Sequence, residues 1–392
     1  MTTPFPLIDL SGPPEARGLA YGAAAAGRVR KSLAHYGAQL SAGGLSAEQV
    51  RAMAMEFLPV IEGFDPAYVQ EMRGIAEGAQ VELADIVLIN CRTEVLQLAK
   101  RSPATADKDG CTGAIILPEA SADGTLLHGQ NWDWKSECAE TGVVLRIRRD
   151  DGPDILTFVE AGGLSRCGLN GAGIAITANY LESDRDYRQQ GIPLSLLRRR
   201  ALEQSQVALA FQTLYATPKS ASNNLLLSHA SGQLGAEAQP STEGVNGMRE
   251  SGFAVDIECA PDESFCLHPE GGVLVHANHW QSQAALAKLK DTGLANTPDS
   301  LYRDRRVRAA LMARHPGITL DDLRAAFFDD WQSPWSVCRP PRMNMGGNLS
   351  ATVAMILMRP GSGVMEIAPL PALNCDFTRY ELNPAPLRAA AE

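Results

Sequence analysis

Residues 108–134 read KDGCTGAIILPEASADGTLLHGQNWDW, and their pattern predicts a β-hairpin. Two short runs, 111–117 and 125–134, have the apolar or alternating pattern of β-strands, and the turn signal Asp123-Gly124 separates them. Cys111 is the first residue of the first strand and directly follows a flexible Asp-Gly pair. The stretch therefore places one cysteine in an unusual context, at the junction of a loop and a strand.

The sequence on either side of this hairpin predicts an α+β fold. Helical patterns occur at 16–40, 50–58, 67–79, 84–98, 193–214, 300–314 and 321–328. Further strand patterns occur at 143–148, 155–160, 174–179, 224–228, 252–259, 273–276, 352–358 and 364–368. The predicted elements run from helices, through many strands joined by turn signals, to a mixture of both. This order indicates α+β layers around one antiparallel core.

Local capping patterns predict where three of the helices begin. Each has a side chain that can accept a hydrogen bond from the first turn, followed by a reciprocal partner or by proline. The pairs are Ser46 with Gln49, Asp65 before Pro66, and Thr319 with Asp322.

Composition excludes several classes of protein. The 392 residues are 45% apolar and 20% charged, which is ordinary for a globular chain and excludes disorder, collagen and coiled coil as whole-chain descriptions. No apolar run reaches about 18 residues, so we expect no membrane-spanning helix. The first six residues lack the features of a signal peptide, and we therefore expect a soluble cytoplasmic protein.

The charge balance argues against nucleic acid as a partner. The formal net charge is −10, whereas phosphate binding needs concentrated lysine and arginine. The densest basic run is Arg198-Arg199-Arg200, at the end of a predicted helix. We interpret it as a solvated helix face, with polyanion binding as the alternative.

The eight cysteines are scattered and include no C-x-x-C pair, so neither a zinc ribbon nor a thioredoxin-type motif fits. Most should be reduced core thiols. Cys111 itself could be a small hydrophobic residue at a strand start. The alternative is that the Gly110–Cys111 bond is cleaved by the protein itself, because glycine tolerates strained backbone and a thiol can attack the preceding carbonyl.

Such cleavage would make Cys111 a new N-terminal residue that carries both a nucleophile and a base. Its α-amine, with a reference pKa of about 7.7–8.0, can take the proton of its own thiol, whose reference pKa is about 8.5. No catalytic histidine would be required.

This logic resembles that of the N-terminal-nucleophile hydrolases, and the sequence is similar to the isopenicillin N acyltransferase (acyl-CoA:6-aminopenicillanate acyltransferase) family. The blocks that carry the resemblance keep their order along the chain. They are Arg17-Gly18-Leu19-Ala20-Tyr21-Gly22, Asp109-Gly110-Cys111-Thr112, Gly129-Gln130-Asn131-Trp132-Asp133-Trp134, Gly168-Leu169-Asn170-Gly171-Ala172-Gly173 with Thr177-Ala178-Asn179, His276-Ala277-Asn278-His279 and Ser336-Val337-Cys338-Arg339. The GQNWD block, twenty residues beyond DGC, is the most specific of them.

The resemblance implies an architecture and a processing scheme. The fold would be a four-layer αββα sandwich, two antiparallel sheets between helices. Residues 1–110 would form a helical α-chain released by cleavage, and residues 111–392 a β-chain that begins with the nucleophile. The two chains would remain a heterodimer, with further homo-oligomers possible, act on a small-molecule amide, and need no cofactor and no metal.

The same resemblance implies roles for two polar residues. Asp133 would be the buried carboxylate that holds the amine and thiol of Cys111; the alternative is a carboxylate that caps backbone amides at the hairpin end. Asn278 can offer its side-chain NH2 to the oxyanion of a tetrahedral intermediate. Asn131 shares a strand face with Asp133 and either assists that network or is a structural amide. Trp132 should pack in the core or the pocket wall.

Arg339 is the best candidate in the sequence for binding a substrate carboxylate, because a guanidinium forms a bidentate clamp. The family places an arginine near this block in that role, although here Pro340-Pro341 follows directly. A structural ion pair is the alternative. Ser336, in the same block, together with Asn131 and Trp132, completes the candidate substrate-binding set.

The sequence offers other candidate functional sites besides Cys111. His276 and His279 could suggest a metal site, but no third ligand is placed by the sequence. A papain-like pair of Cys111 with His128, His276 or His279 lacks the helix that normally carries such a nucleophile. Residues 168–173 resemble a dinucleotide loop only superficially, since no G-x-G-x-x-G occurs there. A binding scaffold without catalysis remains a further alternative.

Within the family, amide hydrolysis and acyl transfer share an acyl-Cys111 thioester and differ in whether water or a second amine resolves it. The sequence does not distinguish them. We favour hydrolysis of a small N-acylated amine or N-acyl amino acid, because transfer to 6-aminopenicillanate belongs to a narrow specialised pathway.

Overall fold

The computed structural model describes residues 3–42, 44–99, 110–231, 252–343 and 349–384. The predicted polar loop before Cys111 lies outside these ranges, except for Gly110. The helices are α1 (Pro14–Ala42), α2 (Ala47–Met55), α3 (Leu58–Phe64), α4 (Pro66–Ala79), α5 (Leu83–Asn90), α6 (Arg92–Ala99), α7 (Leu194–Leu202), α8 (Val207–Ala216), α9 (Gln283–Leu286), α10 (Ser300–Met312) and α11 (Leu320–Phe327).

The strands form two sheets. They are β1 (Leu7–Leu10), β2 (Cys111–Ile116), β3 (Leu127–Lys135), β4 (Gly142–Ile147), β5 (Ile155–Glu160), β6 (Cys167–Asn170), β7 (Ile174–Tyr180), β8 (Asn223–Ala230), β9 (Gly252–Cys259), β10 (Ser264–Leu267), β11 (Val273–His276), β12 (Arg342–Met343), β13 (Leu349–Arg359), β14 (Val364–Pro369) and β15 (Thr378–Glu381). One sheet has the order β1-β4-β5-β6-β7-β8-β9-β10. The other has the order β11-β2-β3-β13-β14-β15, with β12 paired to β13.

Three of the apolar cores lie between the four layers of the fold. The first core joins the N-terminal helices to one face of the eight-stranded sheet, through residues that include Tyr21, Met72, Leu145 and Ile176. The second lies between the two sheets and includes Cys111, Trp132, Phe158 and Ile356. The third joins α10 and α11 to the outer face of the other sheet and includes Ala114, Val275, Val307 and Phe327. The predicted αββα sandwich is therefore confirmed.

The local signals in the sequence form as expected at the helix starts. Ser46 and Gln49 make a reciprocal capping box, and the carboxylate of Asp65 accepts a hydrogen bond from the backbone N–H of Ala67. Thr319 and Asp322 make a second capping box. These pairs lie within three residues of each other, so they form wherever the chain runs on the surface.

Some predicted elements differ in extent. The expected helix at 84–98 is two helices, α5 and α6, which meet at Cys91. The helical stretch at 193–214 is likewise divided into α7 and α8. The sheets are not wholly antiparallel, because β1, which was not predicted, pairs with β4 in parallel.

The predicted solvated face at the end of α7 is wrong for two of its three arginines. Arg198 and Arg199 are buried, and only Arg200 is half-exposed. Helix α7 packs against β6 and β7 and contacts the N-terminal helices, so residues near its end face protein rather than water. Across the described ranges we find no helix that is both long and apolar enough to cross a membrane.

The segment around Gly18 and Gly22 has a packing role. A Cβ atom at Gly18 would lie 2.1 Å from the carbonyl oxygen of Glu71, and one at Gly22 would lie 2.2 Å from that of Ile75. Helices α1 and α4 therefore cross with their backbones in contact, which only glycine permits at these positions.

Candidate active site

The hairpin of β2 and β3 brings Cys111 next to the GQNWD block. Cys111 pairs with Trp132 across the ladder, and the backbone N–H of Asp133 donates to the carbonyl oxygen of Gly110 at 3.0 Å. Cys111 and Trp132 both face the core between the sheets. The neighbouring positions Asn131 and Asp133 point the other way, as the period of two along a strand requires.

Gly110 lies in a space that admits no side chain. A Cβ atom there would lie 2.6 Å from Nη2 of Arg303 and 2.9 Å from Nη2 of Arg339. Both guanidinium groups are buried and held in ion pairs, so neither can move aside at low cost. The residue before the nucleophile is thus glycine for a steric reason.

The backbone nitrogen of Cys111 is held by Asn278. It donates to Oδ1 of Asn278 at 2.7 Å, and Nη2 of Arg303 donates to the same oxygen at 2.8 Å. The Nδ2 of Asn278 donates to the carbonyl oxygen of Tyr180 at 2.9 Å, and its backbone N–H donates to Oγ of Ser300 at 2.7 Å. These partners fix the orientation of the amide, with its oxygen toward the cysteine.

Arg303, on α10, is a site residue that the sequence analysis missed. Its Nη1 donates to the carbonyl oxygen of Cys111 at 2.7 Å and to Oγ1 of Thr112 at 2.8 Å, while its Nε donates to Asp299 at 2.7 Å. It therefore fixes the backbone on the C-terminal side of the nucleophile. In the sequence it is one of several arginines in a helix, and nothing local distinguishes it.

Arg166 is the second missed residue, and it lies against the thiol. Its Nη2 is 3.8 Å from Sγ of Cys111, and its guanidinium lies over the ring of Trp132, 4.1 Å from the ring centre. Burial raises the pKa of the Cys111 thiol, and the charge of Arg166 opposes that effect. The carboxylate of Asp133 raises this pKa further, whereas the backbone N–H of Asp133 and the charge of Arg303 lower it.

Asp133 is buried behind the cysteine. Its Oδ1 accepts a hydrogen bond from Oγ1 of Thr352 at 2.7 Å, and its Oδ2 is 3.2 Å from Nε of Arg339. Its carboxylate thus contacts side chains of the neighbouring strand β13 and of the SVCR block. These contacts belong to a network of an ion pair and a hydroxyl group, and the role of Asp133 in holding the amine and thiol of Cys111 stays a prediction.

Arg339 lies beside Asp133, away from the cavity that the thiol faces. Its guanidinium forms ion pairs with both Asp133 and Asp299, and its Nε lies 3.4 Å from the carbonyl oxygen of Ser336. The geometry thus favours the structural ion pair, the alternative that the sequence left open. Ser336 is also fully buried, and its hydroxyl donates to the carbonyl oxygen of Cys338 at 2.5 Å.

Of the two remaining substrate-binding candidates, both on β3, one has a structural role and the other lines the cavity. The Nδ2 of Asn131 donates to the carbonyl oxygens of Phe327 and Val337 at 2.8 and 3.0 Å, so this amide ties β3 to the outer helix layer. Its geometry favours the structural interpretation. Trp132, by contrast, lines the cavity with Cys111.

The histidines are engaged elsewhere. His128 lies between Ser228 and Thr177, with ring-nitrogen distances of 2.8 and 2.9 Å, and burial lowers its pKa to about 3. Burial opposes a charge on His276 as well, but Asp256 and Glu258 outweigh it and raise its pKa to about 9. We find no contact of either histidine with the thiol in the described ranges. The same ranges hold no group of three His, Cys, Asp or Glu side chains that could bind a metal.

A cavity opens on the thiol from the side of the eight-stranded sheet and the N-terminal helices. It contains about 710 Å³ of empty space, including its mouth. Its lining includes Cys111, Trp132 and Asp133 together with Arg166, Tyr180 and Arg198. The lining therefore combines charged, polar and apolar side chains, as ligand-binding cavities do.

Comparisons with known proteins identify similar chains. No family model matches the sequence. The 40 kDa form of acyl-coenzyme A:6-aminopenicillanic-acid acyltransferase from Emericella nidulans is 27% identical over 340 residues, covering 85% of this chain and 84% of that protein. Among solved structures, a mutant of the conjugated bile acid hydrolase from Clostridium perfringens matches 69% of this chain and 92% of its own, at 13% identity and a TM-score of 0.44. Penicillin V acylase from Agrobacterium tumefaciens matches 69% and 86%, at 16% identity and a TM-score of 0.45.

Proposed function

We propose that the chain is a member of the isopenicillin N acyltransferase-like family and that it is a self-processing cysteine enzyme that acts on a linear amide. The observation that supports the proposal is the set of contacts around the peptide bond between Gly110 and Cys111. The Gly110–Cys111 peptide has its carbonyl bound by Asp133 and its nitrogen bound by Asn278, and the thiol lies beside Arg166.

Processing converts this bond into a new N-terminus in two steps. The Cys111 sulfur attacks the Gly110 carbonyl carbon, the C–N bond breaks, and the thiol proton passes to the departing nitrogen, which leaves a thioester. Water then cleaves the thioester, so Gly110 ends as a carboxylate and Cys111 regains its thiol. The products are chains of 110 residues and of 392 − 110 = 282 residues. They stay associated because the N-terminal helices bury their apolar faces on the sheet.

Turnover uses the same atoms with an external amide. The freed α-amine of Cys111 accepts the thiol proton, the sulfur attacks the substrate carbonyl, and the protonated amine gives the proton to the leaving nitrogen. Asn278 holds that α-amine through its oxygen, as it holds the peptide nitrogen here. One N–H of its NH2 group is bound to the carbonyl oxygen of Tyr180, and the other N–H is the one that we propose stabilises the oxyanion. The backbone N–H of Asp133 holds the Gly110 carbonyl before cleavage, and the Asp133 carboxylate raises the pKa of the Cys111 thiol.

The resulting acyl-Cys111 thioester has two possible fates. We propose hydrolysis of a small N-acyl amine or N-acyl amino acid as the principal reaction. Transfer of the acyl group to an amine acceptor is the second candidate, and the acyltransferase name of the Emericella nidulans relative favours it. Product analysis with and without an added amine separates the two, because only transfer yields a new amide.

The decisive test is intact-mass measurement of the purified protein beside Cys111→Ala. We expect wild type to give two chains that co-elute on gel filtration, and Cys111→Ala to remain one chain. A wild-type protein that stays at 42.0 kDa and still hydrolyses amides would overturn self-processing. Cys167→Ala is a suitable control, because it also removes a buried thiol that lies between the two sheets.

A further inference from the structure

Three arginines line the cavity that opens on the thiol, and they differ in how their charge is balanced. They are Arg92, Arg166 and Arg198. Arg92 forms an ion pair with Glu160, and its Nε donates to Oη of Tyr36 at 2.6 Å. Its charge is therefore neutralised within the protein.

Arg166 and Arg198 differ from Arg92 in their polar contacts. Both are more than nine-tenths buried, at 9% and 8% exposure, and the Nε atom of each lacks a hydrogen-bond partner. In the part of the chain that the structure describes, neither forms an ion pair with a carboxylate. Arg166 contacts the thiol of Cys111 and the face of Trp132. Burial and the neighbouring charges of Arg166 and Arg92 lower the pKa of Arg198 to about 9.

Glu94 is the acidic residue whose charge acts on Arg198, and it is engaged elsewhere. Its Oε1 accepts a hydrogen bond from the backbone N–H of Leu194 at 3.1 Å, at the start of α7. Burial raises the pKa of Glu94, and the charges of Arg198 and Arg92 oppose that effect. The charge of Glu94 acts on Arg198, but the described residues include no ion pair between the two.

The adjacent residue, Arg199, is an example of a buried arginine with a structural role. Arg199, on the same helix, is fully buried, and its guanidinium pairs with Glu71 at 3.1 Å and Glu203 at 2.8 Å. A buried cation without a partner loses its solvation, and structural arginines avoid that cost by pairing. An unpaired arginine in a cavity wall is therefore better explained by a ligand.

We propose that Arg198, together with Arg166, binds a carboxylate on the amide substrate. The inference rests on the proposed function and narrows its substrate class to amides that carry a negative charge. The apolar part of such a substrate lies against Trp134, Leu96 and Leu194, which line the same cavity. The carboxylate belongs either to the amine half, as in an N-acyl amino acid, or to the far end of the acyl half.

Arg198 carries the selectivity and is the residue to change, because Arg166 also touches the thiol. We compare kcat/KM for two pairs of substrates, N-hexanoylglycine with its methyl ester and adipic monoanilide with its methyl ester. Wild type should prefer one of the two acids over its ester by about 10- to 100-fold, the loss expected for one hydrogen bond to a charged group. The pair that shows the preference identifies which half of the substrate holds the carboxylate.

Arg198→Gln should remove this preference by slowing the acid alone, and Arg198→Lys should retain part of it. Arg200→Gln, two residues along the helix and outside the cavity lining, is the matched control and should keep the preference. Equal turnover of both acids and their esters by wild type overturns the proposal. So does an Arg198→Gln protein in which acid and ester fall together, or one whose melting temperature drops as a structural role would require.

A binding measurement separates this inference from the proposed reaction. Calorimetric titration of full-length wild-type protein with hexanoate and with hexanamide should give tighter binding of the anion by about 10-fold or more. Arg198→Gln should lose that difference, and Arg200→Gln should keep it. Anion-selective binding without amide turnover contradicts the proposed function alone. Turnover without anion-selective binding contradicts the Arg198 site alone.

Discussion

The Nε atom of Arg339 lies 3.2 Å from Oδ2 of Asp133, and the same guanidinium reaches Asp299. Because Asp299 also pairs with Arg303, the two arginines that flank Gly110 share one carboxylate. The ion pairs thus connect the SVCR block, the GQNWD block and α10 directly beneath the scissile bond. This network holds the backbone at the processing site.

Arg339→Ala should therefore destabilise the protein. Removing one partner of a buried ion pair costs about 3–5 kcal/mol, because it leaves an uncompensated charge, here that of Asp133. We expect this loss in urea denaturation, together with equal falls in kcat/KM for an acid substrate and its methyl ester. Arg306→Ala, which breaks a half-exposed pair with Asp329, should cost less than about 1 kcal/mol. If Arg339→Ala slowed turnover of the acid substrate alone and did not destabilise the protein, Arg339 would be the residue that binds the substrate carboxylate.

Gly110→Ala should slow or block processing. The added Cβ meets Arg303 and Arg339 at 2.6–2.9 Å, so the carbonyl that the thiol attacks must shift. The fraction of cleaved chain on a denaturing gel over time measures the effect. Gly27→Ala is the control, since a Cβ there meets nothing within 4 Å, and this helical substitution should stabilise by about 1 kcal/mol. Normal processing of Gly110→Ala would show that the close approach of the arginines does not matter.

Asn278→Ala should lower kcat by about 10²–10³, the range observed when one oxyanion-hole donor is removed. Because its oxygen also holds the Cys111 nitrogen, we expect slower processing as well. Asn131→Ala makes a useful contrast, because this amide bonds two backbone carbonyls and should affect stability more than turnover. Wild-type turnover by a processed Asn278→Ala protein would refute the oxyanion role.

The reactivity of the Cys111 thiol should depend on pH in a way that Arg166 controls. Burial raises the thiol pKa, so the reactive thiolate is scarce at neutral pH and increases as the pH rises. The positive charge of Arg166 lowers that pKa, so Arg166→Gln should move the midpoint of alkylation to higher pH. Iodoacetamide labelling at a series of pH values, followed by peptide mass spectrometry, measures the midpoint for Cys111, with the exposed Cys375 as an internal reference. An unchanged or lower midpoint would contradict the assigned contact.

Much of the fold followed from patterns within a few residues. The caps at Ser46, Asp65 and Thr319 depend on partners two or three positions away, and the periodicity of strands such as β5 and β9 gave their limits. The proximity of Cys111 to the GQNWD block was equally local, because a hairpin turn fixes the register of its two strands. The break between α5 and α6 was missed, since the pattern of 84–98 is continuous and helical on both sides of Cys91.

The sequence by itself determined the α+β class, the nucleophile candidate and the residues beside it on one hairpin, because these depend on local periodicity and turn chemistry. Only the tertiary structure decided which charges meet there. Arg166, Arg198 and Arg303 reach the site from 55 to 192 positions away, and their local sequence does not encode a partner. Whether a guanidinium lies in water, in an ion pair or in a cavity wall depends on long-range packing, which one-dimensional charge patterns do not specify.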